Sequence, residues 1–376
     1  MKYLFINSVA GVGSTGRIAA DQCRKLEKEG HQCVLAYGRA KVNCDDIQTI
    51  QIGTPWDYRW HGIITRVFDR HGFGSKRATR KFLVWVEEYK PDLVWLHNIH
   101  GYYINVEMLF VWLKKHPEVK VMWTLHDCWA FTGHCTHFTV AKCNQWKKKC
   151  LNCTQLRQYP SCIVKGSVSR NFEQKRQAFT GVRNLTLVTP SKWLAKLTRE
   201  SFLSEYPVTV HYNTIDTNVF KPTPGDFRKK YRIERKTVIL GVASVWTERK
   251  GLKDFYKLAE LLDDSYAIVL VGINEKQLKR LPDNIIGIPR TNSPTELAEI
   301  YTMADVFVNP TYEDNYPTVN LEAQACSTPV ITYDTGGACE TIYNGEVVHG
   351  FDELLSALLK KSLYSALDKK PLNFDP

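Results

Sequence analysis

A chain of 376 residues with 44% hydrophobic and 24% charged residues has room for about two globular domains, which excludes a single small domain and a disordered tail. No apolar run approaches the roughly 18 residues needed to cross a bilayer, and the apolar start at residues 3–6 stops at Asn7, too short for a signal-peptide core, so the sequence reads as cytoplasmic. The net charge of +11 is uneven, with about +15 on residues 1–210 and about −4 on residues 211–376, and the eleven cysteines of so long a chain suit reduced thiols or a metal better than disulfides.

In chain order, an apolar strand at 3–6 runs into a Gly-rich turn (Gly11, Gly13, Gly16), a helix to about residue 29 and a second strand at 33–37, a βαβ opening. Short β-rich runs followed by helical spacing recur at 93–96, 119–124 and 185–188, so the first half is expected to be a parallel α/β domain. Residues 56–85 mix Trp60, Ile63, Ile64, Val67 and Phe68 with Arg59, Arg66, Arg70, Lys76, Arg77, Arg80 and Lys81 at helical spacing, which suits either an anionic membrane surface or a core helix with a solvated face. Prolines at 207, 222 and 224 punctuate a polar stretch and mark a domain boundary. A second α/β series follows, with strands at 237–243, 267–271, 304–308 and 330–333 and helices at 252–262 and from Glu322. An amphipathic helix from Glu353 to about Lys369 and a Pro-bounded tail close the chain. The expected division is 1–212, with a Cys-rich insertion at about 128–165, then 213–350, then 351–376.

Two motifs carry chemistry. Gly11-Val12-Gly13-Ser14-Thr15-Gly16 is a literal G-x-G-x-x-G between strand and helix, where backbone N–H groups and the helix dipole can meet phosphate. A dinucleotide site also wants an acid at the end of the second strand, and Tyr37-Gly38-Arg39 offers none. Phosphate or sugar binding, nicotinamide binding and a plain structural turn stay open. In the second half, Glu313-Asp314-Asn315-Tyr316-Pro317-Thr318-Val319-Asn320-Leu321-Glu322 places Asp314 in a loop after a strand and Glu322 at a helix start, where open α/β sheets bind ligands and carboxylates suit sugar hydroxyls; acids that merely favour the helix N-terminus are the alternative.

The run Asp314-x7-Glu322, together with Ala325-Cys326-Ser327-Thr328-Pro329-Val330, Thr335-Gly336-Gly337 with Glu340, and Asn213-Thr214-Ile215-Asp216-x3-Phe220-Lys221-Pro222, resembles the family-4 retaining glycosyltransferases of the GT-B fold. Pro190-Ser191-Lys192-Trp193-Leu194 and Gly241-Val242-Ala243 before Arg249-Lys250-Gly251 fit in order. The likeness is greatest to the subgroup that builds bacterial capsule, exopolysaccharide or O-antigen, through residues 96–103 and Thr124-Leu125-His126-Asp127. The resemblance implies two Rossmann-like domains facing a cleft and transfer of a hexose from a nucleotide-diphosphate sugar to a saccharide, lipid-linked in this subgroup, with no metal or other cofactor needed for catalysis.

By the same resemblance, Arg249 and Lys250 neutralise the leaving diphosphate with backbone groups near Gly11 and Gly13, and Glu322 holds ribose. Asp314 holds the transferred sugar, Asn315, Tyr316 and Thr318 complete the donor contacts, and His126 sits beside the sugar. His97, Asn98, His100, Tyr102 and Tyr103 are the acceptor-side candidates. No Asp-x-Asp occurs in the chain, in keeping with metal-free leaving-group stabilisation. Three positions depart from the family pattern: Asp314 for the usual Glu, Val245 for an Arg, and Ser327 for a Gly.

Two other functions fit parts of the sequence, an NADP-linked oxidoreductase using the Gly11–Gly16 turn with Arg39, and a basic, zinc-containing nucleic-acid-binding protein. With the glycosyltransferase reading no nucleic acid is expected, and an inner-membrane surface is the further partner. Cys135, Cys143, Cys150 and Cys153 have the spacing C-x7-C-x6-C-x2-C, with His134 and His137 beside them; a structural zinc, unligated thiols, and an iron-sulfur cluster or disulfides are the readings of that cluster.

Overall fold

In the computed structural model, residues 1–164 and 166–360 are described, and the chain divides into two compact units, Met1–Tyr212 and Asn213–Pro376. The expected continuation of the last helix to about Lys369 lies outside the described residues; its described part is Phe351–Leu359.

The first unit is built on seven parallel strands, β1 (Lys2–Asn7), β2 (Gln32–Tyr37), β3 (Thr49–Gln51), β4 (Leu93–Leu96), β5 (Lys120–Thr124), β6 (Leu185–Thr189) and β7 (Val208–Val210), in the order β3-β2-β1-β4-β5-β6-β7. Successive side chains of β1 enter different cores: Leu4 and Ile6 pack with Val34, Val94 and Leu96, while Phe5 packs with Leu35, Ala19 and Cys23 on the other face. Burial on both faces is what a parallel sheet with helical crossovers requires, and it explains why these strands read as short apolar runs rather than alternating ones. The second unit repeats the plan with β8 (Thr237–Val242), β9 (Tyr266–Val271), β10 (Ile285–Ile288), β11 (Val306–Asn309), β12 (Val330–Tyr333) and β13 (Gly345–Val348), all parallel, in the order β10-β9-β8-β11-β12-β13.

Strand order reverses direction at β1 in the first sheet, whose neighbours are β2 and β4, and at β8 in the second, whose neighbours are β9 and β11. A crevice opens beyond the carboxyl ends of the strands at such a switch point. The loops after β1, β4, β8 and β11 are those that carry the sequence motifs. Several helices start on side-chain caps: Ser191 accepts from the Leu194 amide at 3.1 Å, and Asn105 accepts from the Met108 amide at 3.0 Å while donating to the Phe73 carbonyl at 2.7 Å. No helix among the described residues is long and apolar enough to cross a membrane.

Candidate active site

In the second unit the loop after β8 and the loop after β11 meet. The 3-10 turn Glu248–Lys250 presents Arg249 and Lys250. Lys250 Nζ forms an ion pair with the Asp314 carboxylate, 64 residues away, with side-chain exposures of 22% and 18%. Arg249 Nη1 donates to the Glu313 carbonyl at 2.7 Å, and its own carbonyl accepts from the Tyr312 amide at 2.8 Å. These contacts cross-link the two loops and point two cations at the switch of the sheet. Gly336, at φ +61, lets the loop after β12 close on the same place: a Cβ there would stand 2.0 Å from the Asp314 carbonyl, which also accepts from the Gly337 amide at 3.1 Å.

Glu322 departs from expectation in its placement. The helix starts at Thr318 behind Pro317, so Glu322 lies a turn inside Thr318–Ala325 rather than at its start; the fixed φ of Pro317 admits the helix directly after it. The carboxyl is 4% exposed and accepts from the Tyr301 hydroxyl at 3.0 Å, an orienting contact from the helix Pro294–Met303. Asn315 and Tyr316 are buried; Asn315 donates its amide to Asp314 Oδ1 at 2.8 Å, and the Tyr316 carbonyl accepts from Asn213 at 3.4 Å. Of the departures from the family pattern, Ser327 stands at φ +63, the left-handed region that favours Gly, and Val245 is 63% exposed.

In the first unit the turn after β1 is tight: Gly11, at φ +68, donates to the Gly16 carbonyl at 3.0 Å, and a Cβ there would stand 1.9 Å from the Val42 carbonyl. The helix Gly13–Lys28 begins behind Val12 with no side-chain cap, leaving its first N–H groups to a ligand or solvent. Arg39 does not reach into this turn. Its Nη1 donates to the Tyr58 hydroxyl at 3.2 Å and its guanidinium lies over that ring.

His97, Asn98, His100 and His126 converge with Asp127 on one small recess beyond β4 and β5. His97 Nδ1 and His126 Nε2 are 3.0 Å apart with rings stacked, and His100 Nε2 is 2.9 Å from Asp127 Oδ2. Burial pushes the His126 imidazole down to about 4, so it is neutral at pH 7. Burial alone would raise Asp127, but the charge and hydrogen bond of His100, with His137 and the Trp129 amide, bring it down to about 2. Tyr103 is 1% exposed, donates to the Asn98 carbonyl at 2.8 Å and packs on Gly38; Tyr102 is 6% exposed and lies edge-on to His71. Neither tyrosine lines the recess, unlike His97, Asn98 and His100; Tyr103 touches it only through the Asn98 carbonyl.

Asp127, His71, Tyr159, Tyr301 and Lys175 belong to no motif that assigns them a role in the sequence. His71 Nε2 lies 3.4 Å from His100 Nδ1 and 3.5 Å from the Tyr159 hydroxyl, contacts spanning 29 and 88 residues that no local pattern announces. Asp127 alone had a signal, its place directly after His126 at a strand end.

Residues 225–368 match the model of the family described as "Glycosyl transferases group 1". The chain is 23% identical over 358 residues to the putative colanic acid biosynthesis glycosyl transferase WcaC of Escherichia coli K12, covering 91% of this chain and 85% of that one. By fold it is similar to sucrose-phosphate synthase of Thermosynechococcus elongatus, with TM-score 0.71, 15% identity and coverage of 98% and 92%. It is also similar to Anabaena HepE solved in complex with UDP, with TM-score 0.67, 13% identity and coverage of 98% and 93%. The second unit therefore resembles the group 1 glycosyl transferases over residues 225–368, and the two Rossmann-like units share the GT-B fold of the solved structures.

Proposed function

We propose that the protein is a retaining, family-4 hexosyltransferase that moves a sugar from a nucleoside diphosphate to a saccharide acceptor, lipid-linked, in surface polysaccharide synthesis. The carrying observation is the Arg249–Lys250 pair tied to Glu313 and Asp314 between the loops after β8 and β11, with Glu322 buried on the helix that follows the second loop. Two fixed cations neutralise charge developing on a leaving diphosphate, and a preorganised site does so without reorganising at the moment of reaction. Lys250 then exchanges Asp314 for a phosphate oxygen, which frees Asp314 for sugar hydroxyls, while Tyr301 orients Glu322 towards ribose. The likeness to WcaC over most of the chain supports the polysaccharide setting, and the UDP held by HepE supports a nucleotide donor.

The recess of His97, His100, His126 and Asp127 takes the acceptor side. Neutral His126 offers a hydrogen bond to a sugar hydroxyl, and the ionised Asp127 holds His100 in place. Peripheral attachment to the inner face of the cytoplasmic membrane rests on the helix Pro55–Phe68, where Trp56, Trp60, Ile63 and Phe68 are 50–76% exposed beside Arg59 and Arg66.

The test is a thermal-shift screen with UDP-, GDP- and TDP-sugars and NADPH, followed by donor turnover with and without EDTA. A nucleotide sugar should raise the melting temperature and turnover should persist in EDTA. A shift with NADPH alone, or turnover abolished by chelation and restored by magnesium or manganese, would overturn the reading.

A further inference from the structure

His97 follows β4 directly and His126 lies just past β5, and the two imidazoles meet: His97 Nδ1 is 3.0 Å from His126 Nε2, with the ring planes 18° apart. One of these nitrogens donates and the other accepts, so the place of a single proton decides what His126 has left to offer a ligand. Burial keeps both rings neutral at pH 7, which leaves each with one proton to place.

His97 is held on every side. Its backbone extends the sheet, the N–H donating to the Ile6 carbonyl at 2.9 Å and the carbonyl accepting from the Trp123 indole at 3.2 Å. Its side chain is 1% exposed and lies nearly parallel to Phe5 and Trp95, with centroids 6.1 and 6.0 Å away and planes 24° and 16° apart. A ring packed in this way has no room to seek a second polar neighbour. Its other nitrogen, Nε2, is buried and has no hydrogen-bond partner among the described residues.

That unmatched nitrogen places the proton. If His126 donated, His97 would carry its own proton on Nε2, a buried N–H with no acceptor. The stacked rings cannot serve as one, because an N–H lies in the plane of its own ring and so runs along the faces of Phe5 and Trp95 rather than into them. If His97 donates, Nε2 is a bare nitrogen instead, and folded proteins tolerate unmatched buried acceptors better than orphaned N–H groups.

We infer that His97 is a positioning residue, which donates from Nδ1 to His126 Nε2 and thereby holds the His126 proton on Nδ1. Given the acceptor-side reading of the recess, on which this assignment rests, His126 meets the saccharide only as an N–H donor. It can hydrogen-bond a hydroxyl or carboxylate oxygen of the acceptor. With its one lone pair committed to His97 it cannot also take the proton of an attacking hydroxyl, and that removal falls to another group.

Nitrogen NMR of the full chain tests this without reference to activity. Long-range correlation of ring protons with nitrogens distinguishes protonated from bare imidazole nitrogens, and the signals lost in His97→Asn and His126→Asn assign the two rings. At pH 7.5 both histidines should show a protonated Nδ1 and a bare Nε2, the minor tautomer of a histidine in water. His126 with its proton on Nε2, or on both nitrogens, overturns the inference, and this spectrum of the wild type decides even if every variant fails to fold. In His97→Phe, His126 should leave the Nδ1–H form; in His97→Asn, whose side-chain amide N–H takes the place of Nδ1–H, it should keep it. Turnover of whichever UDP-, GDP- or TDP-sugar the wild type uses should fall about 10- to 100-fold in His97→Phe, the usual loss when a group that orients another is removed. His97→Asn should recover most of that loss, with UDP, GDP or TDP bound equally by all three chains. Equal losses in folded His97→Phe and His97→Asn overturn the positioning role. A wild type that turns over none of these sugar nucleotides would overturn the proposed function instead, with the tautomer still settled by the spectrum.

Discussion

Replacing Lys250 with Met keeps the aliphatic stem and removes the charge. In the free chain this breaks the ion pair while Asp314 keeps the hydrogen bond from the Asn315 amide, and a pair about a fifth exposed is worth about 1 kcal/mol. With donor bound the loss is larger. A charge-assisted hydrogen bond to phosphate contributes about 1.5–3 kcal/mol, and a donor aimed at charge developing in the transition state about 2.7–4 kcal/mol, so kcat/KM should fall about 10²- to 10³-fold. Without the Lys250 charge, Asp314 also repels the diphosphate. The double variant Lys250→Met/Asp314→Asn should therefore bind UDP or GDP more tightly than Lys250→Met alone, while its turnover stays low because Asp314 no longer meets sugar hydroxyls. Titration calorimetry with each nucleoside diphosphate and initial-rate kinetics with the matching sugar nucleotide separate the two effects. If Lys250→Met kept kcat/KM within about threefold of wild type, less than 1 kcal/mol of transition-state stabilisation, the assignment of the leaving-group cation would be refuted.

Stability should depend on pH through the buried histidines: burial holds His61 and His126 near 4 and His71 and His97 well below 6.5. The unfolded chain takes up these protons near 6.5 and the folded chain does not, so stability is full above about pH 6.5 and falls towards pH 4 at up to ~1.4 kcal/mol per unit per histidine. Asp127, at about 2 in the folded state, adds its own loss only below its ordinary 3.8. Urea midpoints at pH 7.5, 6 and 5 check this, and a flat profile would contradict it. Flotation with anionic vesicles should capture the protein at low salt and release it at high salt, and Trp60→Asp with Ile63→Asp should weaken capture; equal recovery on zwitterionic vesicles would remove the electrostatic part.

Local patterns determined much of this protein. Apolar runs of four to six residues marked β1, β2, β4–β6, β8, β9, β11 and β12 because a strand buried on both faces needs no alternation, whereas β3 and β7 are three residues long, β13 opens on Gly345-Glu346, and Gly287 interrupts the isoleucines of β10. Gly11, Arg249-Lys250 and Asp314 were legible because each sits in a loop directly after a strand, where chemistry and position coincide. Pairings across tens of residues were not: Lys250 with Asp314, Tyr301 with Glu322, His97 with His126, and Lys175 with the Trp129 and Thr132 carbonyls are made by strand order and helix packing. A sequence shows which side chains are available, but desolvation and partner choice depend on which loops the sheet brings side by side. Tertiary structure therefore decided that His126 is neutral, that Glu322 is buried a turn inside its helix, and that Lys175 is buried against the Trp129 ring and two carbonyls.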